Sequence, residues 1–145
     1  MGNAYRSLEE LEKAFIIYDH IAKQYPTADA AWLNRSVVLE DMERYEDALD
    51  SYKKVIANTS SFEEGYFRAG LLMMNKLNSS DQEIRAHFEE AVVATNYDTL
   101  ITATYLVYLY GLGDTATLDA ILAKALEKDP ENPRFLEIKE SYDNL

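Results

Sequence analysis

The sequence predicts an all-α protein built from stacked pairs of antiparallel helices. One pattern recurs at a spacing of 34 residues and puts small residues at fixed phases of a helix. Two helices approach closely only where side chains are short, so a small residue repeated in phase marks a helix–helix contact. The residues that share this spacing are Gly2, Ser36 and Gly70; Ala14 and Ala48; Tyr18 and Tyr52; and Ile21 and Val55.

Composition limits the classes of protein that the chain can belong to. A length of 145 residues, 48 % of them hydrophobic, suits one domain with a core. The absence of cysteine excludes disulfides and thiolate metal sites. A net charge of −12 argues against nucleic-acid binding, which needs a basic surface, and would attract basic ligands instead.

Targeting signals are not evident. No apolar stretch reaches the roughly 18–20 residues that a membrane-spanning helix needs, so we expect no membrane insertion. The opening residues lack the charged leader and apolar run of a signal peptide. The compartment is therefore unknown, with the cytoplasm as the default.

The best-preserved unit covers residues 29–62. Residues 44–48 make the turn between its two helices, and one face of each helix carries large, small and aliphatic residues at helical spacing. The six residues are Trp32, Ser36, Leu39, Ala48, Tyr52 and Val55. This pattern resembles the tetratricopeptide repeat, although Ser60 stands where the family often has proline. The resemblance implies a right-handed superhelical solenoid of about 3.5 repeats plus a C-terminal capping helix.

The whole chain fits this frame as a single domain of nine helices. Its units are residues 1–28, which lack the start of a first helix, then 29–62, 63–98 and 99–132, with a capping helix over 133–145. In the third unit, residues 77–80 hold an insertion in a turn. The open first unit suggests that the chain is a fragment or that another element covers that end.

Helix ends are marked by local signals. Ser7, Ser60 and Ser80 each stand three residues before a glutamate, which is the pattern of a capping box. Asp114 and Asn132 are further candidate caps, the latter followed by a first-turn proline. The glycines in residues 111–113 predict a break before Asp114.

The resemblance also predicts a binding surface. In this family the first helix of each pair lines a concave groove, and here the groove positions are apolar, which suits a partner helix or peptide. These positions are Leu33, Val37, Phe67, Leu71, Ala103 and Val107. The alternative is that the six side chains pack inside the solenoid or under the C-terminal helix. On the last unit, Tyr105, Tyr108 and Tyr110 lie on three sides of one helix, so at least one ring faces outward.

A second site is implied by the family alone. Some members hold the C-terminal carboxylate of a chaperone in a clamp of Asn and Lys or Arg side chains, and Asn3, Asn34 and Arg68 fall at matching positions. An arginine fork suits a carboxylate because it donates two hydrogen bonds. One lysine position of the clamp holds Glu64, which would repel a carboxylate.

Nothing in the sequence predicts an enzyme, a metal or a cofactor. His20 and His87 lack metal-ligand spacing, and no serine lies in a nucleophile-elbow context. Residues 111–114 lack the lysine and the preceding strand of a phosphate-binding loop.

Two functions remain open. The first is an interaction module that binds a peptide or amphipathic helix, one with basic flanks, in the groove. The second is assembly through the open N-terminal end around Ala4 and Tyr5, either onto further repeats or onto another copy of the chain.

Overall fold

The computed structural model describes residues 8–143 of the chain, with side chains from Glu10 to Tyr142. Every regular element in this part of the chain is a helix, as predicted. The helices are α1 (Leu8–Gln24), α2 (Asp29–Asp41), α3 (Tyr45–Asn58), α4 (Glu63–Asn75), α5 (Asp81–Ala94), α6 (Thr99–Leu112), α7 (Thr115–Lys128) and α8 (Pro133–Asp143). The predicted partial helix at Gly2–Tyr5 and the box at Ser7 lie outside the described residues.

Two of the predicted helix pairs pack together, α2 with α3 and α6 with α7. Helices α2 and α3, α4 and α5, and α6 and α7 correspond to the three full units, while α8 begins at the predicted capping position. The insertion in the third unit lies between α4 and α5. Contacts divide the chain into two compact units, residues 1–80 and 81–145, with the boundary at this same insertion. The assignment of a single domain stays a prediction.

The core of residues 1–80 forms around α2, α3 and α4. Helix α2 packs on α1 and α3, and α3 packs on α4. Ser36 and Ala48, the small residues of the second unit, are fully buried, which confirms their predicted place at close helix contacts. The buried centre consists of Leu39, Ala48, Tyr52, Ala69 and Leu72.

The core of residues 81–145 forms around α6, which packs on α5, α7 and α8. The rings of Phe88 and Tyr105 stack with centroids 5.4 Å apart and planes inclined by 6°. Burial raises the pKa of Tyr105, and nearby Glu89 raises it further. Phe135 of α8 is also buried, so the last helix covers apolar surface as a cap should.

Among the predicted helix caps in the described residues, Asp114 and Asn132 are confirmed, Ser60 is wrong, and Ser80 stays a prediction. Asp114 accepts a hydrogen bond from the N–H of Thr117 at 3.1 Å, and Asn132 accepts from that of Arg134 at 3.1 Å. Helix α4, by contrast, begins after Phe62 and has no side-chain cap. Its start lies too far along the chain for Ser60 to reach the first N–H groups, because residues 59–62 form a separate turn.

Only one of the two glycines near the end of α6 terminates the helix. Helix α6 continues through Gly111 and ends at Gly113, which has a φ of 71°. Residues with a Cβ rarely adopt this conformation, so the chain leaves the helix at Gly113. At the start of α6, Oδ1 of Asp98 accepts hydrogen bonds from the N–H groups of Leu100 and Ile101, each at 3.0 Å. This N-cap was not predicted from the sequence.

Candidate interaction surface

Helix α6 is unusual because none of its 14 residues is charged. A helix that is apolar on every side is normally buried on every side. Here it is not, since four large side chains on α6 are about half exposed: Leu100 at 56 %, Val107 at 58 %, Tyr110 at 52 % and Leu112 at 48 %. Helix α6 therefore offers solvent an apolar surface without charges of its own.

The predicted groove positions differ in how far they are covered. In residues 1–80, four of them are half-buried: Leu33, Val37, Phe67 and Leu71. Leu33 packs against the buried centre formed by α2, α3 and α4. In residues 81–145, Ala103 is buried at 7 % exposure, whereas Val107 is exposed. The binding role of all six remains a prediction.

The three tyrosines of α6 have three different environments. Tyr105 is buried, and Tyr110 is exposed, which confirms that at least one ring faces outward. The hydroxyl of Tyr108 donates a hydrogen bond to Oδ1 of Asp81 at 2.6 Å. Partial burial, together with this bond, raises the pKa of Tyr108 to about 12. Of the three tyrosines on α6, Tyr110 is thus the most accessible to a partner.

A cavity of about 380 Å³ opens between α6 and the last helix, α8. Its floor contains Leu106 and Leu118, which are each only 1 % exposed. The residues that line it are Leu106, Val107, Tyr110, Leu118, Arg134, Glu137, Ile138, Ser141 and Tyr142. The sequence placed Val107 on a binding surface or under the C-terminal helix, and here α8 lines the same cavity as Val107.

The polar edge of this cavity comes from α8. Arg134 donates a hydrogen bond to Oε2 of Glu137 at 2.8 Å, and both side chains are at least half exposed. Such an exposed ion pair contributes little to stability. Either side chain can therefore leave it and pair with a ligand at a small cost in free energy. The edge therefore combines apolar walls with one available carboxylate.

Of the predicted carboxylate clamp, the described residues include Asn34 and Arg68. Arg68 donates to Oε1 of Glu64 at 2.8 Å, and its guanidinium also lies 3.9 Å from Oε1 of Glu40. Burial lowers the pKa of Arg68, but the hydrogen bond to Glu64 and the charges of Glu64 and Glu40 raise it overall. A ligand carboxylate would therefore compete with two carboxylates that already lie beside this guanidinium. Asn34 is exposed on α2, and Asn3 lies outside the described residues. The clamp stays a prediction with no geometric support.

No group of acidic or histidine side chains in the described part of the chain is arranged to hold a metal ion. His20 is exposed, and His87 packs edge-on against Phe88 with ring centroids 5.5 Å apart. No helix between residues 8 and 143 is both long enough and apolar enough to span a membrane.

Comparisons with known proteins support the fold. A scan of protein-family models finds no match, and no curated protein matches the sequence. Among solved structures, the chain is similar to MamA, with a TM-score of 0.60 and 14 % identity over 97 % of this chain and 95 % of that one. It is also similar to YrrB, described as a TPR protein with an unusual peptide-binding site, with a TM-score of 0.46 and 16 % identity over 92 % and 85 %.

The chain has the tetratricopeptide-repeat fold, as the sequence predicted. Sequence identity this low is expected for such repeats, because only a few small and aromatic positions per unit are fixed by helix packing.

Proposed function

We propose that the chain is a protein-interaction module that binds an apolar segment of a partner against the first helices of its pairs. The observation that carries this proposal is the uncharged helix α6, which leaves Val107 and Tyr110 in solvent. Apolar surface of this kind on a soluble repeat commonly marks a binding site.

The expected affinity is moderate. Burial of apolar area gives roughly 25 cal/mol per Å², but association and the ordering of a flexible segment offset much of it. We therefore expect a Kd of about 1 μM rather than a nanomolar value. A net charge of −12 favours a ligand with basic flanks, so binding should weaken as salt increases. This proposal assigns the chain no enzymatic activity.

Peptides selected from a random display library against the intact chain would test this function. Their affinities should then be measured by fluorescence anisotropy for Val107→Asp and for a control, Val93→Asp. Val93 is a suitable control because it is 67 % exposed on α5, a second helix, while Val107 is 58 % exposed on a first helix. We expect Val107→Asp to weaken binding about tenfold or more, which corresponds to about 1.4 kcal/mol.

The control separates a specific surface from general stickiness. Equal loss of affinity in Val107→Asp and Val93→Asp would contradict the proposal, as would failure to select any peptide. Unchanged thermal unfolding of both variants should accompany the result, since substitutions at exposed positions usually change stability by no more than about 0.5 kcal/mol.

A second candidate function is self-association through the first unit. Ile16 and Ile17 are adjacent on α1 and are 63 % and 57 % exposed, so the first described helix carries apolar side chains in solvent. If this surface pairs two copies, sedimentation equilibrium should show a dimer that Ile16→Lys with Ile17→Lys makes monomeric. A wild-type chain that is monomeric at all concentrations would remove this candidate.

A further inference from the structure

The cavity between α6 and α8 has the dimensions of a binding site for side chains. Its volume of about 380 Å³ lies at the lower end of the range for ligand pockets, roughly 300–1,000 Å³. The floor at Leu106 and Leu118 is almost inaccessible to solvent, while Val107 and Tyr110 at the rim are half exposed. A side chain that entered from solvent would therefore meet apolar groups at every depth.

The wall formed by α8 is one continuous face of that helix. Its lining residues are spaced by three, four, seven and eight positions, which places them on one stripe: Arg134, Glu137, Ile138, Ser141 and Tyr142. Phe135 points elsewhere, because it is buried at 1 % exposure and does not line the cavity. Helix α8 thus covers core with one side chain and leaves a second face open.

Charge selects the kind of ligand. Residues 81–145 contain thirteen acidic and five basic residues, so the part of the chain that forms the cavity has a strongly negative net charge. At its edge, Glu137 accepts one hydrogen bond from Arg134, and a carboxylate can accept about four. A basic side chain on the ligand can therefore pair with Glu137 without first displacing Arg134. An acidic ligand would be repelled by the surrounding charge.

We propose that this cavity receives large apolar side chains from a basic amphipathic helix of the partner, an inference that rests on the proposed function. Side chains at positions i and i+4 of a helix lie about 5–6 Å apart on one face, so two of them can enter a space bounded by two helices. Basic residues beside them would face Glu137 and the acidic surface. Val107 is one of the predicted groove positions and also lines the cavity. Helix α8 supplies a wall that the groove positions alone do not include.

Two synthetic peptides would test the site directly. Both carry leucines at i, i+3, i+4 and i+7, and their remaining positions are all lysine in one and all glutamate in the other. Methyl NMR spectra of the intact chain report where each binds, with Leu118 and Ile138 inside the cavity and Val93 outside it. We expect the lysine peptide to shift the cavity methyls and to bind at least about tenfold more tightly than the glutamate peptide.

A cavity-filling variant provides the decisive comparison. Ser141→Trp places a large ring at a lining position that is exposed, so no buried packing is lost, and Lys139→Trp puts the same ring on α8 outside the cavity. We expect Ser141→Trp to weaken the lysine peptide at least about tenfold, with Lys139→Trp within about twofold of wild type. Equal affinities in the two variants, or shifts as large at Val93 as at Ile138, would overturn the inference.

The two proposals fail in different ways. Suppose that display-selected peptides lose affinity for Val107→Asp but keep their affinity for Ser141→Trp. In that case the interaction function stands, and the cavity is not its site. If the lysine peptide fails to bind at all, the inference is overturned, while the display selection still decides the function.

Discussion

Asn132 donates a hydrogen bond from its side-chain amide to the hydroxyl of Thr99, 33 residues earlier in the chain, at 2.9 Å. The bond joins the start of α8 to the start of α6. In residues 1–80, the amide of Asn58 donates in a comparable way to Oδ1 of Asp29, also at 2.9 Å. In both repeat units, residues 29–62 and 99–132, an amide near the end of the unit donates to the first residue of the unit's first helix.

Asn132 should therefore be important for the last helix. Replacing it with alanine removes the cap of α8 and the bond to Thr99, and we expect a loss of about 1–2 kcal/mol in denaturant unfolding. Asn132→Ser keeps a cap acceptor and removes the amide that donates to Thr99 and to Asp129, so it should cost less than alanine. Equal losses in the two variants would show that the cap contributes nothing measurable.

Ala48 should tolerate no large or charged side chain. It is fully buried at 0 % exposure within the centre formed by α2, α3 and α4. Ala48→Glu would force a carboxylate into a tight apolar contact and should cost about 2–5 kcal/mol. Ala57→Glu is the control, because Ala57 is exposed on the same helix and should change the free energy of unfolding by less than about 0.5 kcal/mol.

The two glycines at the end of α6 should respond in opposite directions to alanine. Gly113 has a φ of 71°, and alanine there would strain the backbone at a cost of about 1 kcal/mol. Gly111 is helical, and a Cβ there would meet nothing within 4 Å, so Gly111→Ala should stabilise by about 0.5–1 kcal/mol. Thermal or urea unfolding would detect both changes, and a stabilising Gly113→Ala would contradict the assigned helix end.

Acid should weaken the fold partly through Asp114. A hydrogen bond from Arg85, with which Asp114 also forms an ion pair, and a second hydrogen bond from the N–H of Thr117 together lower the pKa of Asp114 to about 2. The unfolded chain has the ordinary value of 3.8, so between pH 3.8 and 2 the unfolded state binds more protons. The stability that the ionised Asp114 contributes is therefore fully present above about pH 4 and is lost as the pH falls through about 2.

The pH dependence can be isolated with one variant. Asp114→Asn keeps a cap acceptor and loses the charge that Arg85 pairs with. The stability difference between wild type and Asp114→Asn, measured by urea unfolding, should shrink as the pH falls from 4 to 2. A difference that stays constant over this range would mean that Asp114 does not titrate as the geometry indicates.

The sequence predicted the helices of this protein because their signals are local. The 34-residue period, the small residues at Ser36 and Ala48, and the caps at Asp114 and Asn132 depend on neighbours within a helix or an adjacent helix. The error at Ser60 is of another kind. A serine and a glutamate three residues apart satisfy the capping pattern, but the turn over residues 59–62 moves the helix start beyond the serine.

The exposure of particular apolar residues was decided by tertiary structure alone. Ala103 and Val107 are one helical turn apart on α6 and look equivalent in sequence, yet only Val107 remains in solvent. Likewise, the pairing of Arg68 with Glu40 and the cavity lined by Ile138 depend on residues brought together from distant parts of the chain. Periodicity specifies which face of a helix is apolar, whereas the neighbours that fold against that face determine how much of it is covered.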